Sequence, residues 1–202
     1  GGRAAAIGAD LADRAARRGL ITEAMQPFGP LTVLVNNASM FEADSLADLD
    51  EALWDAHFRL HAEAPVFLAR DFAAQLPADA IGNIINIIDE RILHLTPNYF
   101  SYTLSKAVLW TATTTLAQSL APRIRVNAIG PGPTLPHRGQ SEAQFAASTG
   151  RTPLGRGTTP AELADAVLFL LNAPAITGQM LALDGGRHIA WPERSGPTPR
   201  QQ

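Results

Sequence analysis

Three stretches constrain this chain more than any other: LTVLVNNAS (31–39), AIGNIINIID (80–89) and RIRVNAIGPG (123–132). Each is a short run of apolar, mostly β-branched residues without polar alternation. A strand reads this way when both of its faces are buried, as inside a parallel sheet. Parallel neighbours need a long crossover, and both intervals between these runs can hold a helix. Ser45 to Gln75 is a long helical region with acidic residues at its start. Pro97-Asn98 opens a second helix, carrying SYTLSKAVLWTATTTLAQSLA, which Pro122 ends. Upstream, RAAAIGADL (3–11) reads as a short strand ending in Asp10. A helix is expected from Ala12 to Phe28, stopped by Phe28-Gly29-Pro30. Downstream, a short helix is expected over 141–148. Another runs from Pro160 to Leu171 with Thr159 as its N-cap. GQMLALDGG (178–186) is the last strand and turn.

The β-α-β-α order predicts an α/β fold, a parallel sheet with helices on both faces. Residues 1–190 form one domain, and 191–202 are a flexible Pro-rich tail. Ligands of such sheets bind beyond the carboxyl ends of the strands. That places Asp10, Asn36 to Ser39, Asp89 and Ile129 to Thr134 at the site. Net charge is −3 with basic residues scattered, so neither nucleic acid nor an anionic membrane surface is an expected partner. No run approaches the ~20 apolar residues that span a bilayer. With no cysteine, disulfides, thiolate metal sites and Cys nucleophiles are excluded, and a cytoplasmic location is expected. His57, His94, His137 and His188 show no metal spacing with carboxylates, so no metal is expected.

The chain carries 15 Arg but a single Lys, Lys106, four residues after Tyr102 in SYTLSK. Four residues apart on a helix is one face. A cation near a phenol favours the phenolate and lowers its pKa, which would bring a Tyr within reach of proton transfer near neutrality. Lys offers a compact ammonium with three donors, suited to ribose hydroxyls or a water. The alternative is a surface Lys beside a half-buried Tyr.

GADL (8–11), VNNAS (35–39), the Asp89 strand end, YTLSK (102–106), RVNAIGPG (125–132) and TGQMLALDGG (177–186) fall in the order of a known pattern. Together they resemble the short-chain dehydrogenase/reductase family over nearly the whole chain. The resemblance implies a Rossmann-like, doubly wound parallel sheet and hydride transfer between NAD(P)H and a carbonyl, imine or alcohol. It implies Tyr102 as proton donor, with Lys106 tuning it and holding the nicotinamide ribose. Asp10 and Leu11 match positions that meet the adenine, with Asp10 as a helix N-cap the structural alternative. Asn37, Ala38 and Ser39 match the loop beside the nicotinamide ribose. Pro131, Gly132 and Thr134 match the loop that receives the carboxamide. Thr134 comes two positions earlier than the usual Thr.

Departures from the common pattern are informative. Asp89 stands where most of the family has Ser, which resembles the pteridine reductase and dihydromonapterin reductase branch. The alternative is an Asp capping the turn after a strand. A carboxylate beside Tyr102 should raise both pKa values unless Lys106 compensates. Phe41, after VNNAS-Met40, resembles that branch's aromatic that stacks on a flat pterin; otherwise it covers the loop. His61 replaces an Asn that supports a water relay, and either holds that water or faces solvent. The resemblance implies an NADP(H)-dependent reductase, NAD(H) not excluded, acting on a small dihydropterin. The alternatives are a general reductase of a ketone or 3-oxoacyl thioester, and a non-catalytic nucleotide-binding protein. Homodimers or homotetramers are expected through the helices at 45–75 and 98–121. The family's glycine-rich phosphate loop has no counterpart here. The expectation is an N-terminally truncated fold, lacking a βαβ portion of roughly 30–50 residues and binding cofactor poorly as written.

Overall fold

A computed structural model of the chain describes residues 2–137 and 139–190; the expected flexible tail lies outside the described residues. Four strands form one parallel sheet in the order β1 (Val33–Asn36), β2 (Gly82–Ile87), β3 (Ile124–Pro131) and β4 (Met180–Leu183). The helices are α1 (Arg14–Arg17), α2 (Leu20–Met25), α3 (Glu51–Phe58), α4 (Ala64–Gln75), α5 (Phe100–Leu120), α6 (Glu142–Thr149) and α7 (Pro160–Leu171). The three apolar runs are β1, β2 and β3.

The continuous patterning of these runs has the expected cause. Ile84 and Val126 point to one face, against Leu68 and Phe72 of α4 and Ala117 of α5. Ile85 and Ile129 point to the other, against Ala166 and Leu170 of α7. Both faces are dry, so neither can alternate with polar residues. Only β1 falls short: Val33 and Val35 remain 40% and 42% exposed.

Polar side chains inside the sheet tie its layers together. Buried Asn86 of β2 accepts from Asn36 Nδ2 at 2.8 Å and donates to Thr113 Oγ1 of α5 at 2.9 Å. Arg125 of β3 reaches past the end of α7, donating to the carbonyls of Leu170, Leu171 and Ile176 at 2.9 Å each. The last carbonyls of a helix have no intrahelical partner, and Arg125 supplies one from the sheet.

Three expectations are corrected. Residues 3–11 form no strand, because no neighbouring backbone among the described residues pairs with them. The helix expected from Ala12 to Phe28 is broken into α1 and α2 at Gly19, whose φ of 81° leaves the helical region. The region Ser45 to Gln75 is not one regular helix. A π-helical turn, Arg59–Glu63, joins α3 to α4, with the amide of Ala64 donating to the carbonyl of Arg59. Pro65 lies just beyond, with no amide hydrogen to give, so the ladder widens where the regular pattern would fail anyway. Thr159 caps α7 as anticipated, in a reciprocal pair with Glu162. Among the described residues no helix is long and apolar enough to cross a membrane.

Replacing Arg125 by Met keeps the packed stem but strands the carbonyls it serves. Urea unfolding is expected to show a loss of about 2–4 kcal/mol, from charged hydrogen bonds worth about 1.5–3 kcal/mol each and partly regained from water. A variant as stable as the parent would show that α7 is held by its apolar face alone.

Candidate active site

The site forms where β2 and β3 end and α5 begins. Asp89 follows β2 and caps a 3-10 turn, Glu90–Ile92, its Oδ1 accepting the amide of Arg91 at 2.9 Å. Its other oxygen, Oδ2, accepts the Tyr102 hydroxyl at 2.8 Å. The capping and Tyr-pairing readings of Asp89 both hold, one for each oxygen. Tyr102 stands on the first turn of α5 and is 4% exposed.

The start of α5 is anchored from the loop after β1. The buried carboxylate of Asp44 accepts both the amide and the hydroxyl of Ser101. Ser101 in turn meets Nδ1 of the buried His57 at 2.7 Å. One turn on, His61 Nδ1 meets Ser105 Oγ at 2.9 Å, and that hydroxyl donates to the Tyr102 carbonyl at 2.7 Å. His57 and His61 thus face Ser101 and Ser105 as two rungs between adjacent helices. The signal was present in the sequence as two pairs of polar residues, each spaced by four. The sequence reading took up only His61.

His61 does not face solvent: it is 1% exposed and both ring nitrogens are engaged. The amide of Met40 donates to Nε2 at 3.1 Å, and Ser39 Oγ lies at 3.1 Å from the same nitrogen. Because Nε2 accepts, the ring proton resides on Nδ1 and is donated to Ser105. Burial, with Lys106 and His57 nearby, pushes the pKa of His61 down from 6.5 to about 2. The ring is a neutral bracket between α5 and the 39–41 loop.

Lys106 is buried, not a surface residue, and donates to the Ile87 carbonyl at 2.9 Å. Burial lowers its pKa to about 8 against the opposing pull of Asp89. Its ammonium lies 5.8 Å from the Tyr102 ring centroid. The expectation that Lys106 lowers the Tyr102 pKa is not met. Burial first, then the Asp89 charge and hydrogen bond, push the phenol well above its ordinary value, and the opposing influences are Ser39 and Arg91.

Phe41 stacks on Tyr99 with centroids 4.2 Å apart and meets the edge of Tyr102 at 4.8 Å. Tyr99 holds φ at 56°, a left-handed conformation costing a non-glycine residue about 1–2 kcal/mol. The Arg91 guanidinium lies 4.6 Å from its ring centroid. These residues border a cleft of about 430 Å³ whose walls include Phe41, Asp89, Glu90, Tyr99, Tyr102 and Arg187. The sequence reading did not single out Glu90, Arg91, Tyr99 or Arg187.

The remaining expected residues are divided. Ser39, Gly132 and Thr134 line this cleft, although Thr134 Oγ1 is spent on the Gly132 carbonyl at 3.0 Å. Pro131 closes β3 just before them, and Asn37 and Ala38 are exposed at the end of β1. Asp10 and Leu11 stand apart from it. Asp10 accepts the Ala12 amide at 2.9 Å, a turn cap just ahead of α1, whose own N-cap is Asp13. Leu11 packs on the core beside α2 and α4. No cluster of three or more His, Asp or Glu side chains able to hold a metal occurs among the described residues.

A family profile described as enoyl-(acyl carrier protein) reductase matches residues 1–188. The chain belongs to the short-chain dehydrogenase/reductase family. It is 34% identical over 195 residues to an uncharacterized oxidoreductase of Methylorubrum extorquens, covering 92% of this chain and 77% of that one. It is 30% identical to the 3-oxoacyl-[acyl-carrier-protein] reductase FabG of Thermotoga maritima, covering 88% and 74%. Among solved structures it is similar to FolM alternative dihydrofolate reductase 1 of Brucella canis complexed with NADP. That similarity has 49% identity and a TM-score of 0.89, over 96% of this chain and 75% of that one. In this chain the Tyr102 hydroxyl meets the Asp89 carboxylate, and the Lys106 ammonium stands 5.8 Å from the Tyr102 ring centroid.

The shifted titrations of His61 and Glu90 act in opposite directions on stability. Between pH 6.5 and about 2 the unfolded His61 takes a proton that the folded one refuses, so its contribution to stability falls as pH drops below 6.5. Glu90, raised by burial from 4.5 to about 7, keeps a proton when folded that it releases when unfolded. Its contribution therefore falls as pH rises from 4.5 to about 7. The difference in urea-unfolding stability between the parent and His61→Asn is expected to change as pH falls below 6.5, by up to about 1.4 kcal/mol per pH unit in the variant's favour. An unchanged slope would mean that folded His61 titrates normally.

Proposed function

We propose that the protein is an NADPH-dependent reductase of a dihydropterin-type substrate, with Tyr102, Asp89 and Lys106 as its working groups. The observation that carries this reading is the Asp89 carboxylate on the Tyr102 hydroxyl, 2.8 Å away, beside the Phe41 ring. Burial and the carboxylate keep the phenol protonated, so it enters the reaction as an acid. A proton held between phenol and carboxylate suits delivery to a ring nitrogen, which is more basic than a ketone oxygen. Ser39 and Arg91 favour the phenolate left behind. Phe41, fixed by Tyr99, offers an aromatic platform for a flat heterocycle.

The residues present fit a nicotinamide cofactor. Lys106 donates to one protein carbonyl, leaving two ammonium hydrogens for a ribose diol. The exposed Asn37–Ser39 loop and the Pro131–Thr134 loop would hold the ribose and the carboxamide. His61 fixes the first of these by gripping Ser39 and Met40. When bound, the cofactor supplies the hydride. The NADP complexes of Brucella proteins at 49% identity support this choice of cofactor and of substrate class. The second reading, a reductase of a 3-oxoacyl thioester, draws on the 30% identity to the Thermotoga enzyme. Self-association would use the outer face of α5, where Leu104 and Val108 stand exposed beside Phe58 of α3, and the reading places the enzyme in the cytoplasm.

The test is NADPH oxidation with a 7,8-dihydropterin and, in parallel, a 3-oxoacyl thioester, for the parent, Asp89→Ser and Tyr102→Phe. Dihydropterin turnover that each substitution lowers by about a hundredfold or more is expected. Turnover with the thioester alone, or an Asp89→Ser variant that improves it, would sink the pterin reading.

A further inference from the structure

Glu90 is the one buried carboxylate in the cleft wall that the proposed chemistry does not use. It is 3% exposed, directly after Asp89, and lines the same cleft as Tyr102 and Phe41. Its Oε1 lies 3.4 Å from Arg187 Nε, a long contact, and its Oε2 is buried with no hydrogen-bond partner. An unsatisfied buried acceptor costs about 1–3 kcal/mol, more when charged, unless a ligand supplies a donor.

The turn after β4 is built to present Arg187 beside Glu90. Asp184, at the end of β4, accepts the amides of Gly186 at 2.9 Å and His188 at 2.7 Å, and also His188 Nδ1 at 2.7 Å. Gly185 and Gly186 take φ of 65° and 82° in this turn, and a Cβ on Gly185 would lie 2.6 Å from the Arg156 carbonyl. The turn is therefore closed to other residues, and Arg187 projects from it at a fixed place.

We propose that Glu90 is a substrate-binding residue that accepts the paired N–H donors of an amino-oxo-pyrimidine ring, with Arg187 holding its carboxylate in place. The inference rests on the dihydropterin reading and names the group that recognises that substrate's donor edge. Such a ring carries an exocyclic amine beside a ring N–H, a parallel donor pair that a carboxylate accepts with both oxygens. A 3-oxoacyl thioester carries no N–H beside its reacting carbonyl, so for it the buried carboxylate is only a cost. Glu90 thereby discriminates between the two substrate classes, as a site built for hydrogen bonds rejects a ligand lacking them.

The charge state of Glu90 is set by burial, which raises its pKa to about 7. Arg187 and Arg91 pull it down, and Asp89 and Asp184 push it up. The anion is the form that accepts two N–H groups, so substrate binding should weaken as pH falls through that value.

The experiment measures kcat and KM for a 7,8-dihydropterin across this pH range in the parent, Glu90→Gln and Arg187→Met. In the parent, KM is expected to rise as pH falls below about 7. Glu90→Gln should raise KM about tenfold to a hundredfold, leave kcat within a few-fold, and abolish the pH dependence of KM. Arg187→Met removes the leading opposing charge and should move the midpoint upward, a response no merely structural role would give. A Glu90→Gln enzyme with parental KM, or with kcat alone reduced, would overturn the assignment while the pterin reading stands. A parent that reduces only the thioester would overturn both.

Discussion

The buried polar face of α5 is the constraint from which the rest of the structure follows. Ser101, Thr103, Ser105, Lys106 and Thr113 are all sealed from water on this helix. Buried polar groups persist only where partners meet them. Asp44 and His57 meet Ser101, His61 meets Ser105, the Ile87 carbonyl meets Lys106 and Asn86 meets Thr113. Thr103 Oγ1 is the exception, without a partner. These partners come from the loop after β1, α3, the π turn and β2, so satisfying α5 fixes four parts of the fold together. The Asp89–Tyr102 contact falls where those restraints converge.

The helix also explains why the Tyr and the Lys do not act on each other as their spacing promised. Four residues place two side chains on one face, but not their polar tips at one point. Lys106 is drawn back to the sheet by the Ile87 carbonyl, while the phenol reaches forward to Asp89. The charge nearest the phenol is therefore negative. Burial first, and then that charge, push the phenol pKa up rather than down, so the hydroxyl keeps its proton.

What was legible in the sequence was what is periodic or local. The strands β2 and β3 announced themselves because burial on both faces leaves no room for polar alternation; β1 read the same way although Val33 and Val35 leave one of its faces partly open. The cap of α7 was visible as Thr159-Pro160 with Glu162 following. Asp89 stood out as a strand end, Tyr102 and Lys106 by their spacing, and Phe41 through the family resemblance; the structure brings Asp89, Tyr102 and Phe41 together. Pairings across the fold were not legible: Asp44 with Ser101, Arg17 with Glu63, Glu90 with Arg187. Such contacts depend on where the chain returns after a loop, and no local pattern encodes that. RAAAIGADL failed for a related reason. Its residues favour a strand, but a strand exists only beside another, and none of the described residues pairs with it.

The composition of the site also has a chemical outcome. Lys106 is the only lysine in this sequence, lies almost wholly inside the fold, and has a pKa near 8 rather than 10.5. The surface cations are guanidinium groups, which common acylating reagents ignore. Among the side chains of this sequence, amine-directed modification therefore has one destination, Lys106. Within this sequence that ε-amine is both the one acylable side chain and a shielded one, deprotonated more readily than a surface lysine and enclosed by the fold.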